Sequence, residues 1–369
     1  GSRMTAIERW MRRSPVSDRD LSLFRIGYAG YVLVTIPDAV VTGLPRLAWV
    51  PPFGPFRLLD TAPPGWVVEA IAVVLAVSAG MLAVGWFTRT SSLVVGLAQL
   101  ALIGIINSYG SIHHTILLVL APLILAWSGW GHHFGVDARW GRRPENMLWP
   151  PRLLAVCIGV AFLSSAIPKI RSGWLDPTTH AVWGEFLARW HRGETDGIRP
   201  FFRTIESGVF WETLDLATVA LEIGMIVACL SWRAFRVAIA IAALFHLAVL
   251  LLIGIAFYPN PVAYGAFVTW ALFARASRAS DPPDDRVGRA RVGVAGGAGV
   301  LVIAGAALTI AAVDGRNVTL AIQDAVVVVG AAVGSAHLLA EGLSFLTWLR
   351  PRVTRPEDAR RRARRSAPR

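Results

Sequence analysis

Apolar positions in this chain come in runs of membrane length and do not form one-sided faces with a period of 3.6 or 2. A window of about 20 residues predicts roughly ten spans, near 22–42, 66–87, 91–108, 112–130, 152–170, 211–231, 234–257, 260–274, 292–312 and 318–348. The last is too long for one straight crossing. Read this way, the fold class is all-α: a polytopic integral membrane protein with roughly eight to ten transmembrane helices. Alternate connections differ in charge. Arg9, Arg12 and Arg13 precede the first span, and Arg89, Arg139, Arg142, Arg143, Arg233, Arg236, Arg275, Arg278, Arg286, Arg289 and Arg291 fall in the same set of connections. The intervening ones, Asn107 to Ser111, Tyr258 to Asn260 and Asp314 to Asn317, carry almost no positive charge. The positive-inside rule then places both termini in the cytoplasm of a multi-pass cell-membrane protein.

One connection breaks the pattern. Lys169 to Phe210 is too long for a turn, carries both signs of charge and holds Trp174, Trp183, Trp190, Phe201 and Phe202, with Trp211 just beyond. Half-buried indoles suit an outward-facing interfacial segment, either an amphipathic lid or a plain anchor. The chain divides into a cytoplasmic segment 1–20, a transmembrane domain 21–275, a cytoplasmic linker 276–291 around Asp281-Pro282-Pro283-Asp284-Asp285, a C-terminal helical pair 292–349 and a basic cytoplasmic tail 350–369. In the pair, Gly293-x-x-x-Gly297 and Gly330-x-x-x-Gly334 read as packing devices that let helices approach closely.

Composition agrees, with 54% hydrophobic and 16% charged residues. The net charge of +12 does not indicate nucleic acid, because the arginines cluster between apolar runs and in the tail, as expected of loops facing anionic lipid. Cys157 and Cys229 both fall inside spans and read as packing residues. Gly1-Ser2-Arg3 reads as an appended scar before a native start at Met4. No cleavable signal peptide is recognised after it, so the first span is expected to act as the targeting signal.

The candidate chemistry lies in Ala166-Ile167-Pro168-Lys169-Ile170-Arg171-Ser172-Gly173-Trp174, where a lysine ends an apolar span and a tryptophan follows five positions later. A free lysine titrates near ~10.4, and burial in apolar surroundings favours the neutral amine, which can act as a base. The alternative is an amine that snorkels to the headgroups. Arg25, Asp38, His113, His114, Glu222 and His246 are further ionisable residues within spans, where each is costly without a partner or cavity. In the orientation above, His113 and His114 open the fourth span on the outer side, Lys169 ends the fifth there, and His246 lies midway along the seventh. A pocket in the outer half of the bilayer is expected from these three spans. No metal site is expected, since His113-His114 and His132-His133 lack ligand spacing and fall on opposite faces.

These residues resemble the membrane domain of vitamin K-dependent gamma-carboxylase and its bacterial relatives, the HTTM (horizontally transferred transmembrane) family. Asp20-Leu21-Ser22-Leu23-Phe24-Arg25 is similar to the family's opening span, and His114 to Asp137 resembles its histidine-led span, closing on Phe134-Gly135-Val136-Asp137. Lys169 with Trp174 matches the position of the family's catalytic lysine, Glu222 an acidic residue of a later span, and Phe245-His246 a Phe-His pair. The matches run in order from about residue 20 to 275. The resemblance implies an active site towards the outer face that uses reduced vitamin K, here menaquinol, with O2 and CO2 as co-substrates. Lys169 would deprotonate the quinol. Oxygenation would give a base able to remove a glutamate γ-proton, and CO2 would trap the carbanion. His114 would serve the later step, with His246, Glu222, His113, Trp174 and Arg25 supporting or binding the cofactor. Two departures matter. The chain shows no counterpart of the large extramembranous region of the vertebrate enzyme. Pro168 stands where a basic or small residue is usual and is expected to end or kink the helix.

Two functions are open at this point. One is a quinol-dependent membrane enzyme, an epoxidase coupled to carboxylation of a glutamate-containing, secreted peptide or protein. The other is a non-catalytic module that binds a quinone or lipid and assists maturation or export of a partner. The expected partners are the bilayer, a quinone and that peptide, with no nucleic acid. The orientation has a direct test in cysteine-accessibility labelling. Arg139→Cys and Arg286→Cys should react only from the cytoplasmic side, and Asn107→Cys and Glu194→Cys only from outside. Cytoplasmic labelling of Glu194→Cys would reverse the whole assignment.

Overall fold

A computed structural model describes residues 16–41, 58, 60–106, 115–142, 147–195, 197–270 and 318–349. Among these the chain is all-helical with no strand. The helices are α1 (Asp18–Val41), α2 (Gly65–Val84), α3 (Thr88–Ile106), α4 (Ile116–Leu125), α5 (Val136–Arg139), α6 (Pro150–Arg171), α7 (Ala181–His191), α8 (Arg199–Arg203), α9 (Gly208–Ala228), α10 (Trp232–Ile253), α11 (Pro259–Tyr264) and α12 (Val318–Leu349). Five of them, α2, α3, α6, α10 and α12, are long and apolar enough to cross a membrane. The chain is a multi-pass membrane protein by that measure. The spans expected near 22–42 and 211–231 appear as the long helices α1 and α9.

Differences from the expected spans have local causes. The stretch 260–274 is not one straight crossing as far as it is described: α11 is six residues long and passes into a 3-10 turn at Gly265–Phe267. Pro259 and Pro261 start that helix, and neither has an N–H to extend it backwards. The span near 318–348 is a single helix of 32 residues, of which Leu320–Ser344 is the apolar part. Pro168 does not end α6, which continues to Arg171; its ring sits in the final turn, where Ser172 N–H closes on Pro168 O at 2.9 Å. The span expected at 292–312 and Asp38's side chain lie outside what is described.

Helix ends follow their residues. Ser17 precedes α1, accepting from Asp20 N–H at 3.1 Å and donating to Asp20 Oδ2 at 2.6 Å, a reciprocal cap. α2 stops at Gly85, whose φ of +69° lets Trp86 N–H return to Met81 O at 2.9 Å. Ser207 and Ser231 accept from the first turns of α9 and α10. Neighbouring helices then pack in chain order through α4, α6, α9 and α10, and α12 lies along α10. Tyr28 Oη on α1 sits 2.7 Å from Gln99 Oε1 on α3 and 2.6 Å from Leu118 O on α4, pinning three helices at one buried hydroxyl.

The second small-residue motif is a packing device. A Cβ on Gly334 would come 2.8 Å from Ala240 O of α10, and one on Gly330 would come 2.8 Å from Pro261 Cβ of α11. Lipid gives apolar side chains no reason to prefer one another, so close approach of backbones carries this contact. Gly293 and Gly297 lie outside the described residues. Gly334→Ala should lower the thermal midpoint despite alanine's better helix propensity, by an overpacking cost of roughly 1–3 kcal/mol, whereas Gly224→Ala, with open space at its Cβ, should hold or raise it. Equal stability of the two variants in a thermal scan would refute the close-packing account.

Candidate functional site

Lys169 lies in the last turn of α6, and its Nζ hydrogen-bonds Glu222 Oε1 of α9. The two meet because side chains lean towards the N-terminus of their own helix, so these antiparallel helices send a lysine and a glutamate towards one another. The approach is set below them, where Gly159 lies against Ile226 and Cys229 Sγ donates to Ala155 O at 3.3 Å. Ile226 Cα would sit 3.0 Å from a Cβ at Gly159, so only glycine permits that separation. Glu222 is buried, and its second oxygen, Oε2, has no hydrogen-bond partner among the described residues. The lysine side chain keeps 24% of its surface exposed, which leaves the amine reachable from outside the pair.

Trp174 completes the arrangement. Gly173 has φ +88°, a conformation that favours glycine, and the chain reverses there so that Trp174 N–H donates to Lys169 O at 3.1 Å. The indole then lies 5.3 Å from Nζ, within cation–π range. The turn closes at Asp176, whose carboxylate accepts from the Thr178 N–H and hydroxyl; these bonds hold it below the usual carboxylate range. A carboxylate, an indole face and a helix C-terminus therefore surround the amine.

The interfacial segment is docked onto the same end. α7 packs Phe186 into a cluster with Trp211, and the Trp183 ring lies tilted against the Trp211 ring at 4.6 Å. Asp215 of α9, fully buried, accepts from Ala181 N–H at 2.7 Å and Val182 N–H at 2.8 Å, the first turn of α7. Gly254 ends α10 against Arg199 of α8, so the segment also closes over α10. The segment's helix α7 is held on the bundle by the Asp215 carboxylate.

His246 of α10 is buried in a second cluster. Its Nε2 lies 3.0 Å from Tyr264 Oη and 3.1 Å from Asn260 Nδ2, and its ring meets those of Phe162, Phe257 and Tyr264. Phe162 is on the Lys169 face of α6, seven residues before it, about 10.5 Å along the axis. The structure thus joins Lys169, Glu222 and Trp174 directly, and His246 of α10 reaches that helix through Phe162, two turns from the lysine. Asn260, expected in an outer loop, is buried on α11 because Pro259 and Pro261 turn the chain back into the bundle. Asn260 and Tyr264 were missed as site residues; a polar pair spaced i, i+4 in an otherwise apolar stretch was the available signal.

Arg25 is not part of either cluster. It is buried at the opposite end, where Nη2 donates to Phe134 O at 2.7 Å and Gly85 and Gly135 flank the guanidinium. That end is tied to the first turn of α6 by Met147 N–H to Trp127 O, and Lys169 stands 19 residues beyond Pro150, about 28 Å away. Asp137, close by, accepts from Phe87 N–H, Thr88 N–H and Thr88 Oγ1 and so caps α3. His113 and His114 lie outside the described residues. The pocket expected from His114, Lys169 and His246 therefore cannot be assembled from what is described. A cavity of ≈ 750 Å³ lies instead between α1, α10, α11 and α12, and only Tyr264, the partner of His246, reaches its wall. Among the described residues no cluster of three or more His, Cys, Asp or Glu side chains could hold a metal.

The family model for the HTTM domain matches residues 13–277, well over half of the chain. No curated protein and no solved structure matches it. The match covers α1 to α11 and both polar clusters, while α12 lies beyond it. By that match the chain belongs to the HTTM domain family.

Proposed function

We propose that this protein is a quinol-dependent membrane enzyme in which the Lys169–Glu222 pair is the proton-accepting group, and that its site faces the outer side of the membrane. The observation that carries the reading is the pair itself. A lysine with accessible surface is bonded to a buried glutamate that has one oxygen still unpartnered among the described residues. Nothing in helix packing requires that spare acceptor. Reduced vitamin K, most simply menaquinol, fits this donor set as a phenol-bearing, lipid-soluble substrate, and it would supply the oxygen chemistry that makes a base strong enough for carbon deprotonation.

The residues then have separate tasks. An ammonium cannot accept a proton, so a base at this position needs Nζ to shed one first. Moving one proton from Nζ to Glu222 Oε1 leaves the pair neutral overall and frees the nitrogen lone pair. Nζ then takes the hydroxyl proton of the substrate, and the restored ammonium holds the resulting anion. Glu222 is the store for the displaced proton, and Trp174 keeps Nζ in place. The His246–Tyr264–Asn260 cluster supports a ligand two turns deeper. His114 is retained as the residue for a later carbanion step with CO2, on the resemblance of its position alone. Coupling to carboxylation of a secreted glutamate-containing substrate is the finer part of this proposal.

One observation favours a second reading, a non-catalytic module that binds a quinone or lipid and assists a partner. An ion pair between α6 and α9 with an indole over the amine would also serve as a structural clasp. The two readings part at Lys169. Purified protein given a reduced naphthoquinone and O2 should form the 2,3-epoxide. Lys169→Met and Lys169→Arg should both lose turnover, by about 10²-fold or more, since guanidinium does not release its proton. Glu222→Gln should also fall, while quinone binding persists in all three. An active, stable Lys169→Arg protein would establish the clasp and exclude the base.

A further inference from the structure

Three non-glycine residues among those described have positive φ, and two of them are phenylalanines at the end of the bundle opposite Lys169: Phe87 at +45° and Phe134 at +52°. A bulky residue adopts that conformation only where its surroundings impose it. Here they do. Phe87 N–H donates to Asp137 Oδ1 at 3.1 Å, Phe134 O accepts from buried Arg25 at 2.7 Å, and Asp137 N–H donates to Gly85 O at 2.9 Å, locking the two loops together. The outcome is that both rings point outward, 47% and 48% exposed, beside exposed Trp86 and Trp140.

Cations cover these rings. Arg142 lies over Phe87 at 5.5 Å and over Trp140 at 5.2 Å, and Arg19 over Phe134 at 5.6 Å. Arg19, Arg139 and Arg142 are exposed there. Among the described residues the nearby acids are engaged: Asp137 is buried under its three hydrogen bonds, Asp20 is buried, and Asp18 Oδ2 lies 2.9 Å from His132 Nδ1. The patch begins where the apolar, membrane-length helix α2 ends, and the end of a span is where aromatic rings and arginines meet headgroups. Exposed aromatic rings interleaved with guanidinium groups that have no ion pair among the described residues match one partner chemistry: rings among the acyl-chain necks, and arginines on phosphate.

We propose that this surface is a binding site for anionic glycerophospholipid headgroups, with Arg19 and Arg142 as the phosphate ligands and Phe87 and Phe134 as the rings that set them at interface depth. The inference is independent of the quinol reading, since it involves neither Lys169 nor its partners.

The test uses full-length protein in nanodiscs of phosphatidylcholine alone or mixed equally with phosphatidylglycerol, followed by exchange into detergent and mass spectrometry of the retained lipid. Wild type should retain phosphatidylglycerol selectively, and less of it as NaCl is raised. Arg19→Gln/Arg142→Gln should lower that retention on the order of thirty-fold while leaving the thermal midpoint in pure phosphatidylcholine unchanged. Phe87→Asn/Phe134→Asn should weaken it with all charges kept, because asparagine tolerates the left-handed backbone. Equal phosphatidylglycerol retention by wild type and the arginine variant, or wild-type retention indifferent to salt, would overturn the proposal. So would a patch-dependent dimer, seen by crosslinking, that excludes the lipid.

Discussion

In a bilayer the hydrophobic effect does not hold helices together, so this bundle depends on polar contacts and on backbones that come close enough to exclude lipid. The structure uses both at each level of its height. At one end Asp137 and Arg25 tie the turns after α2 and α4. In the middle Tyr28 reaches Gln99 and Leu118 O, and Ser92 Oγ donates to Pro122 O at 2.7 Å. Gly159 and Gly334 supply the close approaches, one between α6 and α9, the other between α12 and α10. At the far end Asp215 and the Lys169–Glu222 pair join α6, α7 and α9.

That constraint changes what each polar group can do. Asp137 accepts three hydrogen bonds, with both oxygens engaged by Phe87 and Thr88 at the start of α3. Asp215 spends both oxygens on backbone N–H groups. Glu222 differs: one oxygen meets Lys169, and the other has no partner among the described residues. A structural carboxylate is usually saturated, because an unpaired acceptor in low dielectric is costly. The contrast among three buried carboxylates of one bundle is the strongest physical reason to look for chemistry at Glu222 rather than at the others.

Legibility in the sequence followed the same division. Long apolar runs gave α2, α3, α6, α10 and α12, because membrane length is written in composition alone. Lys169, Glu222 and Trp174 could be singled out, since an ionisable residue or an indole at the end of a run is conspicuous. Their mutual contact could not, because it depends on the α6–α9 separation fixed by Gly159 ten residues away from the lysine. Arg25 was legible as an expensive residue but not as a turn clamp, as its partner is a carbonyl, which has no signature in sequence. Asn260 was misplaced for a related reason: flanking prolines mark a loop in the sequence, and only packing shows that the loop is buried.

The two ends of α6 carry opposite solutions to placing a cation in a membrane helix. Arg152, in the first turn, lies over the Trp232 ring at 4.5 Å and is itself buried. Its guanidinium keeps its proton, so it can anchor helices but cannot exchange. Lys169, in the last turn, also has an indole but adds a carboxylate within hydrogen-bond reach. An amine and a carboxyl that share a hydrogen bond can trade one proton without changing the net charge of the site, which avoids the large desolvation penalty of isolating either ion. Lipid surroundings therefore favour a paired lysine over an isolated one, and in the proposed reaction the glutamate, rather than burial alone, would uncover the amine.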